Sequence, residues 1–438
     1  MSTLYVDKVD PSTGTALELG TSGDTITVPT GAGLTVVDEV KTNKISPATG
    51  VAFALGDSGD TFTVPSGATI VNSGTATGFG ITAASFLPNA QPLIINGDMG
   101  IWQRSTSTVT MSDGYYNVDR YRGEEATDGT ATWSRSTSVP DDTGLSYSLQ
   151  VDCTGIDSSI GSGQQTDVCQ KIEASTLQLL KWGTSDAEKL TVAFWVKSNQ
   201  TGQHSCAFRK LDNTAYNQPK TYNIDVADTW EKKVLVYSAL TDSGGEIDND
   251  SGDGLQIFWK LAAGTAYQGT ADVWTASNQG ATAVSGDVNF MSSTDNDFFL
   301  TGVQIEVGEY TSSTIPPFRH ESYGDNLSRC QRYYIKIAEG TTKPIYLAMS
   351  YNSTQANAFF SLPNSMRATP SIDQTSGSGY YRYTANASNA SFDSFNVDYG
   401  STQALAIKTA SISGLTGGEA GWFQTTDASS YFAFDSEL

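Results

Sequence analysis

Between residues 91 and 318 the sequence keeps returning to one pattern, a short run of alternating apolar and polar residues closed by a cluster of Gly, Asp, Asn and Ser. Leu190-Thr-Val-Ala-Phe-Trp-Val-Lys197 and Leu255-Gln-Ile-Phe-Trp-Lys-Leu261 are the plainest cases, and Leu93–Ile95, Tyr147–Val151, Lys232–Tyr237 and Phe298–Val307 continue the series. A period of two sends successive side chains to opposite faces of a strand, so each run has one face to bury. Many such runs separated by turn residues predict an antiparallel sandwich. Helical spacing shows in a short stretch over Ala174–Trp182, with Leu177, Leu180 and Lys181, and in Tyr323–Ile337, where Leu327, Cys330 and Tyr334 share a face after Pro316-Pro317. The expectation is an all-β chain: a central jelly-roll sandwich over 91–318, a connector helix over 319–337, and a C-terminal β domain over 338–438 that is distal or receptor-facing.

A repeat precedes the sandwich. Pro11-Ser-Thr-Gly-Thr-Ala-Leu-Glu-Leu-Gly20 returns as Pro47-Ala-Thr-Gly-Val-Ala-Phe-Ala-Leu-Gly56, and Ser22-Gly-Asp-Thr-Ile-Thr-Val-Pro29 as Ser58-Gly-Asp-Thr-Phe-Thr-Val-Pro65, an offset of 36 residues without a gap. Two copies of one supersecondary unit follow from that match. Thr25-Ile-Thr-Val and Thr61-Phe-Thr-Val read as strands after Gly-Asp turns. Residues 1–72 hold too few large apolar side chains for their own core, so burial is expected from partner chains in an intertwined β-stalk or attachment segment, with a homotrimer as the expected assembly. The alternative is an arm that orders only on its docking site. Small polar residues over 73–90 read as a linker.

Charge narrows the functional classes. With 47 acidic against 25 basic side chains the formal charge is −22, which repels the phosphate backbone of nucleic acids. Aromatic residues at 11% point to a folded chain. No apolar run is long enough to span a bilayer, so no membrane insertion is expected. The first residues lack a basic start followed by an apolar stretch, which leads to the expectation of synthesis in the cytoplasm without export by the general route. Cys153, Cys169, Cys206 and Cys330 show no metal or redox spacing and read as buried thiols, a Cys153–Cys169 bridge being the alternative.

The run Leu93-Ile-Ile-Asn-Gly-Asp-Met-Gly-Ile-Trp-Gln-Arg104, followed by Asp119-Arg-Tyr121, Phe194-Trp-Val-Lys197, Thr229-Trp230 and Thr301-Gly-Val-Gln-Ile-Glu-Val-Gly308, resembles a carbohydrate-binding-module-like jelly roll of phage tail-fibre proteins. Ser322-Tyr-Gly-Asp-Asn-Leu-Ser-Arg-Cys-Gln-Arg-Tyr-Tyr334, Leu362-Pro-Asn-Ser-Met-Arg-Ala-Thr-Pro370 and Phe434-Asp-Ser-Glu-Leu438 extend the resemblance to the C-terminus. It implies a location in the virion and a role at the host surface, and it assigns neither ligand nor site residues.

Chemistry-bearing motifs are sparse. His204 and His320 stand apart, with no metal-binding spacing, and no nucleophile elbow, Walker loop or dinucleotide fingerprint is present. No catalytic residue, metal site or cofactor is therefore expected. Asp248-Asn-Asp-Ser-Gly-Asp-Gly254 offers oxygen ligands that could hold a structural calcium ion, although a solvated acidic turn accounts for it more simply. Alternation in Leu190–Lys197 places Trp195 on the face opposite Phe194, and in Leu255–Leu261 it places Phe258 outward and Trp259 in the core. Tyr380, Tyr381 and Tyr383, beside Ser, Gly and Asn, read as an adaptable recognition surface or as a cross-strand aromatic ladder. These three tyrosines and Trp195 are the expected ligand-binding residues.

The function expected is a non-enzymatic phage tail fibre, joined to other tail proteins through the N-terminal repeats and attaching to a host surface glycan or receptor. A tail-associated polysaccharide depolymerase, an internal adaptor carrying another fibre, and a bacterial surface adhesin are the alternatives. The depolymerase stays open because an acidic chain always offers carboxylate pairs.

Overall fold

The computed structural model describes residues 92–277, 280–377, 379–386, 389–410 and 412–438. Both 36-residue repeats and the linker lie outside the described residues. The regular structure is nearly all β.

Two six-stranded sheets form a jelly-roll β-sandwich. The first runs β1 (Val109–Thr110), β3 (Thr130–Ser136), β4 (Ser148–Gly155), β14 (Asp297–Val307), β6 (Leu190–Ser198) and β9 (Glu231–Tyr237). The second runs β12 (Thr275–Ala276), β8 (Tyr216–Ile224), β7 (Gly202–Lys210), β10 (Asp253–Ala263), β5 (Gln165–Glu173) and β2 (Tyr121–Glu125). Inward-facing aromatics bind the two layers. Phe194 of β6 packs edge-on against Trp259 of β10 and Tyr222 of β8, at 5.8 and 5.2 Å between ring centroids, and all three rings are buried. A small parallel pair, β11 (Gln268–Gly269) and β13 (Ala283–Val284), holds the connection between β10 and β14.

Two local expectations are corrected, and the short helix expected over Ala174–Trp182 is present. Leu93–Ile95 forms no strand, because the Gln170 side-chain amide takes both main-chain groups of Ile95 at 2.9 Å and no neighbouring strand is left to pair with them. Ala174–Leu180 is a 3-10 helix, with Leu177 and Leu180 buried beneath it. The connector helix α1 spans Tyr323–Gln331, capped by Ser322, whose Oγ accepts from the Asp325 amide. It stops short of Ile337 because Tyr334 already pairs with Asp435 in a sheet.

Beyond α1, a three-stranded sheet, β15 (Tyr334–Glu339), β24 (Tyr431–Asp435) and β18 (Ser371–Gln374), faces a seven-stranded one. The larger sheet runs β20 (Asn389–Phe392), β19 (Tyr381–Ala385), β23 (Ala420–Thr425), β16 (Pro344–Asn352), β17 (Gln355–Ser361), β22 (Ala404–Ala410) and β21 (Ser394–Gly400). Phe360, Phe395, Phe423, Phe432 and Phe434 fill the space between them.

The sandwich and the C-terminal sheets share a joint of buried ions. Glu437 accepts from Arg120, which is fully buried, and from Arg104 at 3.3 Å. The two guanidinium groups lie over the rings of Tyr333 and Tyr334, at 3.4 and 3.6 Å. Arg332 grips Glu173 with two bonds of 2.6 and 2.9 Å. Burial alone would raise the Glu173 carboxyl, but the bonds from Arg332, Tyr333 and Ser175 outweigh it and hold this group below the usual carboxylate range. Arg367 donates to the carbonyls of Ser436, Glu437 and Ser251.

Candidate functional site

The outer face of the second sheet collects the side chains that alternation turns away from the core. Along β10 these are Gln256, Phe258 and Lys260, and the strand register sets Phe258 between Cys169 of β5 and Ala207 of β7. The two small neighbours leave a depression of about 340 Å³, lined by Arg122, Glu124, Gln165, Lys171, Arg209, Gln256, Phe258 and Tyr267. Phe258 forms its floor at 3% exposure, beneath the Arg209 guanidinium 5.2 Å from the ring centroid. Tyr267 stands half-buried at the rim.

A relay of hydrogen bonds stiffens the floor. Lys260, buried, donates to Asp167 at 2.5 Å and to the Gln165 side-chain oxygen Oε1 at 2.6 Å, and the Gln165 side-chain Nε2 donates onward to Glu124 at 2.5 Å. That chain fixes the orientation of the Gln165 amide. Burial raises the Asp167 carboxyl and the Lys260 ammonium opposes the shift. Arg122 reaches Glu124 at 3.3 Å and also pairs with Asp113, and Lys171 lies 3.4 Å from Asp253. The rim is held just as firmly. Gly264 donates to Gln164 O at 2.8 Å and Ala266 to Ser162 O at 3.0 Å, pinning the Thr265–Tyr267 turn to the loop before β5. A Cβ at Gly264 would lie 2.0 Å from Gly161 O, so only glycine allows this approach. The result is a rigid polar groove with an aromatic rim and hydrogen-bond donors and acceptors along its lining.

The expected ligand-binding residues fall elsewhere, and the structure does not bring them together. Tyr381 and Tyr383 are fully buried, which corrects their assignment to an exposed contact surface. Strand β19 is flanked on both sides, by β20 and β23, and alternation turns both rings into the phenylalanine core while Arg382 faces outward. Their hydroxyls donate to main-chain carbonyls, Tyr381 to Thr375 and Tyr431, Tyr383 to Glu419. Tyr380 is half-buried against the same core. Trp195 does face outward, half-buried, but on the first sheet, where it shields Gly302.

His204 is buried against the Tyr222 ring, and burial lowers its pKa to about 4, so it is a neutral core residue. All four cysteines are free and buried. The acidic turn over 248–254 spends its carboxylates separately, Asp250 on the Gly252 amide and Asp253 on Gln256 and Lys171. Among the described residues no cluster of three metal-ligating side chains occurs. No described helix is long and apolar enough to cross a membrane.

No protein-family model matches the chain, and no curated protein matches it. Solved structures similar to it include carbohydrate-binding modules and a phage tailspike domain, all at low identity. The tailspike protein 4 enzymatically active domain of bacteriophage CBA120 is 14% identical, with a TM-score of 0.26, over 49% of this chain and 21% of that one. A candidate sugar-binding protein from Bacteroides thetaiotaomicron is 10% identical (TM-score 0.27; 50% of this chain, all of that one). The family 11 carbohydrate-binding module of a Clostridium thermocellum cellulase is 9% identical (TM-score 0.23; 48% and 99%).

Proposed function

We propose that this protein is a bacteriophage tail-fibre subunit that binds host surface glycan in the Tyr267 groove, without cleaving it. The observation that carries the reading is the groove itself, a fixed aromatic rim above Arg122, Glu124, Lys171, Arg209 and Gln256. Sugar rings offer one C–H-rich face for stacking and hydroxyls for such donors and acceptors. Glu124 is the one carboxylate in the lining, and the nearby Asp167 is buried and tied to Lys260, an arrangement suited to binding more than to two-carboxylate hydrolysis. The virion setting rests on the motif resemblance. In that setting copies of the chain held side by side in a homotrimer, attached through the N-terminal repeats, would raise a weak single-site affinity by avidity.

The test is binding of the full chain to a panel of immobilised bacterial surface polysaccharides. At least one should bind, a Tyr267→Ala variant should bind it roughly fivefold more weakly, as loss of about 1 kcal/mol of stacking predicts, and no reducing ends should be released. Unchanged binding by the folded variant would remove the groove from the reading. Released oligosaccharide would overturn the non-enzymatic part.

A further inference from the structure

The seven-stranded sheet has a second face, turned away from the phenylalanine core, and a row of apolar side chains crosses it. Trp422 of β23 stands opposite Leu347 of β16, and the register that pairs Met349 with Asn357 carries on to set Leu347 opposite Phe359 of β17. Phe359 in turn is opposite Ala406 of β22, and Ala406 opposite Tyr399 of β21. One row of apolar side chains therefore crosses five strands, about 20 Å at the usual strand spacing. Leu347 is 76% exposed, Tyr399 75% and Phe359 67%, with Met349 and Tyr351 beside them also exposed.

We infer that a second copy of this chain packs on this face. Two observations choose that occupant. The exposed parts of these six large side chains, together with Val397, offer on the order of 800 Å², which exceeds the patch a monomer ordinarily leaves open and equals what each partner contributes to a stable protein interface. Charge points the same way. In a chain of net charge −22 two copies repel over most of their surfaces, yet the seven strands of this sheet carry only Arg382, Lys408 and Asp398, the last two paired at 2.7 Å. Copies can meet here without bringing acidic surfaces together. Leu347 and Met349 at the centre suit a protein core better than a sugar, and the inference stands independently of the glycan groove.

The experiment places a cysteine in the full chain, whose four native thiols are buried, and follows maleimide labelling beside light scattering. Leu347→Cys and Tyr399→Cys should label roughly tenfold more slowly than Ile156→Cys, a position 55% exposed on the sandwich. That protection should accompany a scattering mass that is a multiple of the single chain's 46.6 kDa. Equal labelling rates at high concentration would overturn the inference. So would protection that persists in a species of single-chain mass, which would give the face to another part of the same chain.

Discussion

Replacing Glu437 by glutamine should loosen the joint between the sandwich and the C-terminal sheets. The carboxylate is 5% exposed and faces two guanidinium groups, of which Arg104 keeps a second partner in Asp435 at 3.1 Å. The loss therefore falls on Arg120, which is fully buried, has no partner for its Nε, and retains only the Lys171 carbonyl at 2.7 Å and the Tyr333 ring. Removing one member of a buried pair strands the other charge and costs about 3–5 kcal/mol. Glutamine still offers one oxygen, so a loss of about 3 kcal/mol is expected, at the low end of that range. Urea unfolding of both proteins, followed by tryptophan fluorescence, reads the difference. The double variant Arg120→Met with Glu437→Met should recover most of the loss, because it removes the stranded charge along with its partner. A single-variant loss under about 1 kcal/mol, or a double variant no more stable than the single, would refute the assignment of this pair as the lock of the joint.

Two further outcomes follow from buried groups and close packing. His204 titrates near 6.5 when unfolded and about 4 when folded, so its stability contribution is complete above pH 6.5 and is lost as pH falls toward 4, about 3 kcal/mol in all; a His204→Phe variant should show a pH dependence shallower by that amount over this window in urea titrations. Gly264→Ala should push the Thr265–Tyr267 turn off Gly161 O and weaken polysaccharide binding about as much as Tyr267→Ala does, while unchanged binding would mean that the rim position of Tyr267 is immaterial.

Where a strand's outward face was polar and its inward face apolar, the sequence was legible. Strands β6, β9, β10 and β14 lie over the runs that alternation marks, and Trp259 is in the core as its position in Leu255–Leu261 requires. Strand β5 is not legible in the sequence because Gln165, Thr166, Asp167 and Gln170 make it look like a loop; each is buried and hydrogen-bonded to another segment, a compensation that only tertiary structure supplies. Strand β8 carries Pro219 in mid-run for a similar reason. Its ring stands opposite Ala207, and short β12 covers β8 only at its first residues, so the missing amide donor is tolerated.

The candidate groove was half visible. Alternation turns Phe258 outward between the polar residues Gln256 and Lys260 two positions to either side, while the tyrosine cluster is the more conspicuous candidate because composition cannot separate a recognition loop from an aromatic core. The motifs that carry the resemblance mark no ligand site for a different reason, since most of them serve the joint. Asn96 donates to the Ile101 and Asp119 carbonyls, Gln103 bonds Asp119 and the Tyr334 carbonyl, Asn326 reaches Asp98, and Arg104, Arg120, Arg332 and Arg367 close on Glu173 and on residues 435–437. Buried ions and amides of this kind admit few replacements, because each substitution leaves a partner unsatisfied in a low-dielectric interior. The half-buried side chains Arg122, Glu124, Lys171 and Tyr267 of the groove are under less of that constraint, although the buried Lys260 and Asp167 beneath them share it. The most recognisable residues of this chain therefore report how its sandwich is fastened to its C-terminal sheets, and under the proposed function the less recognisable outward residues of β10 and its neighbours are where ligand specificity would be written.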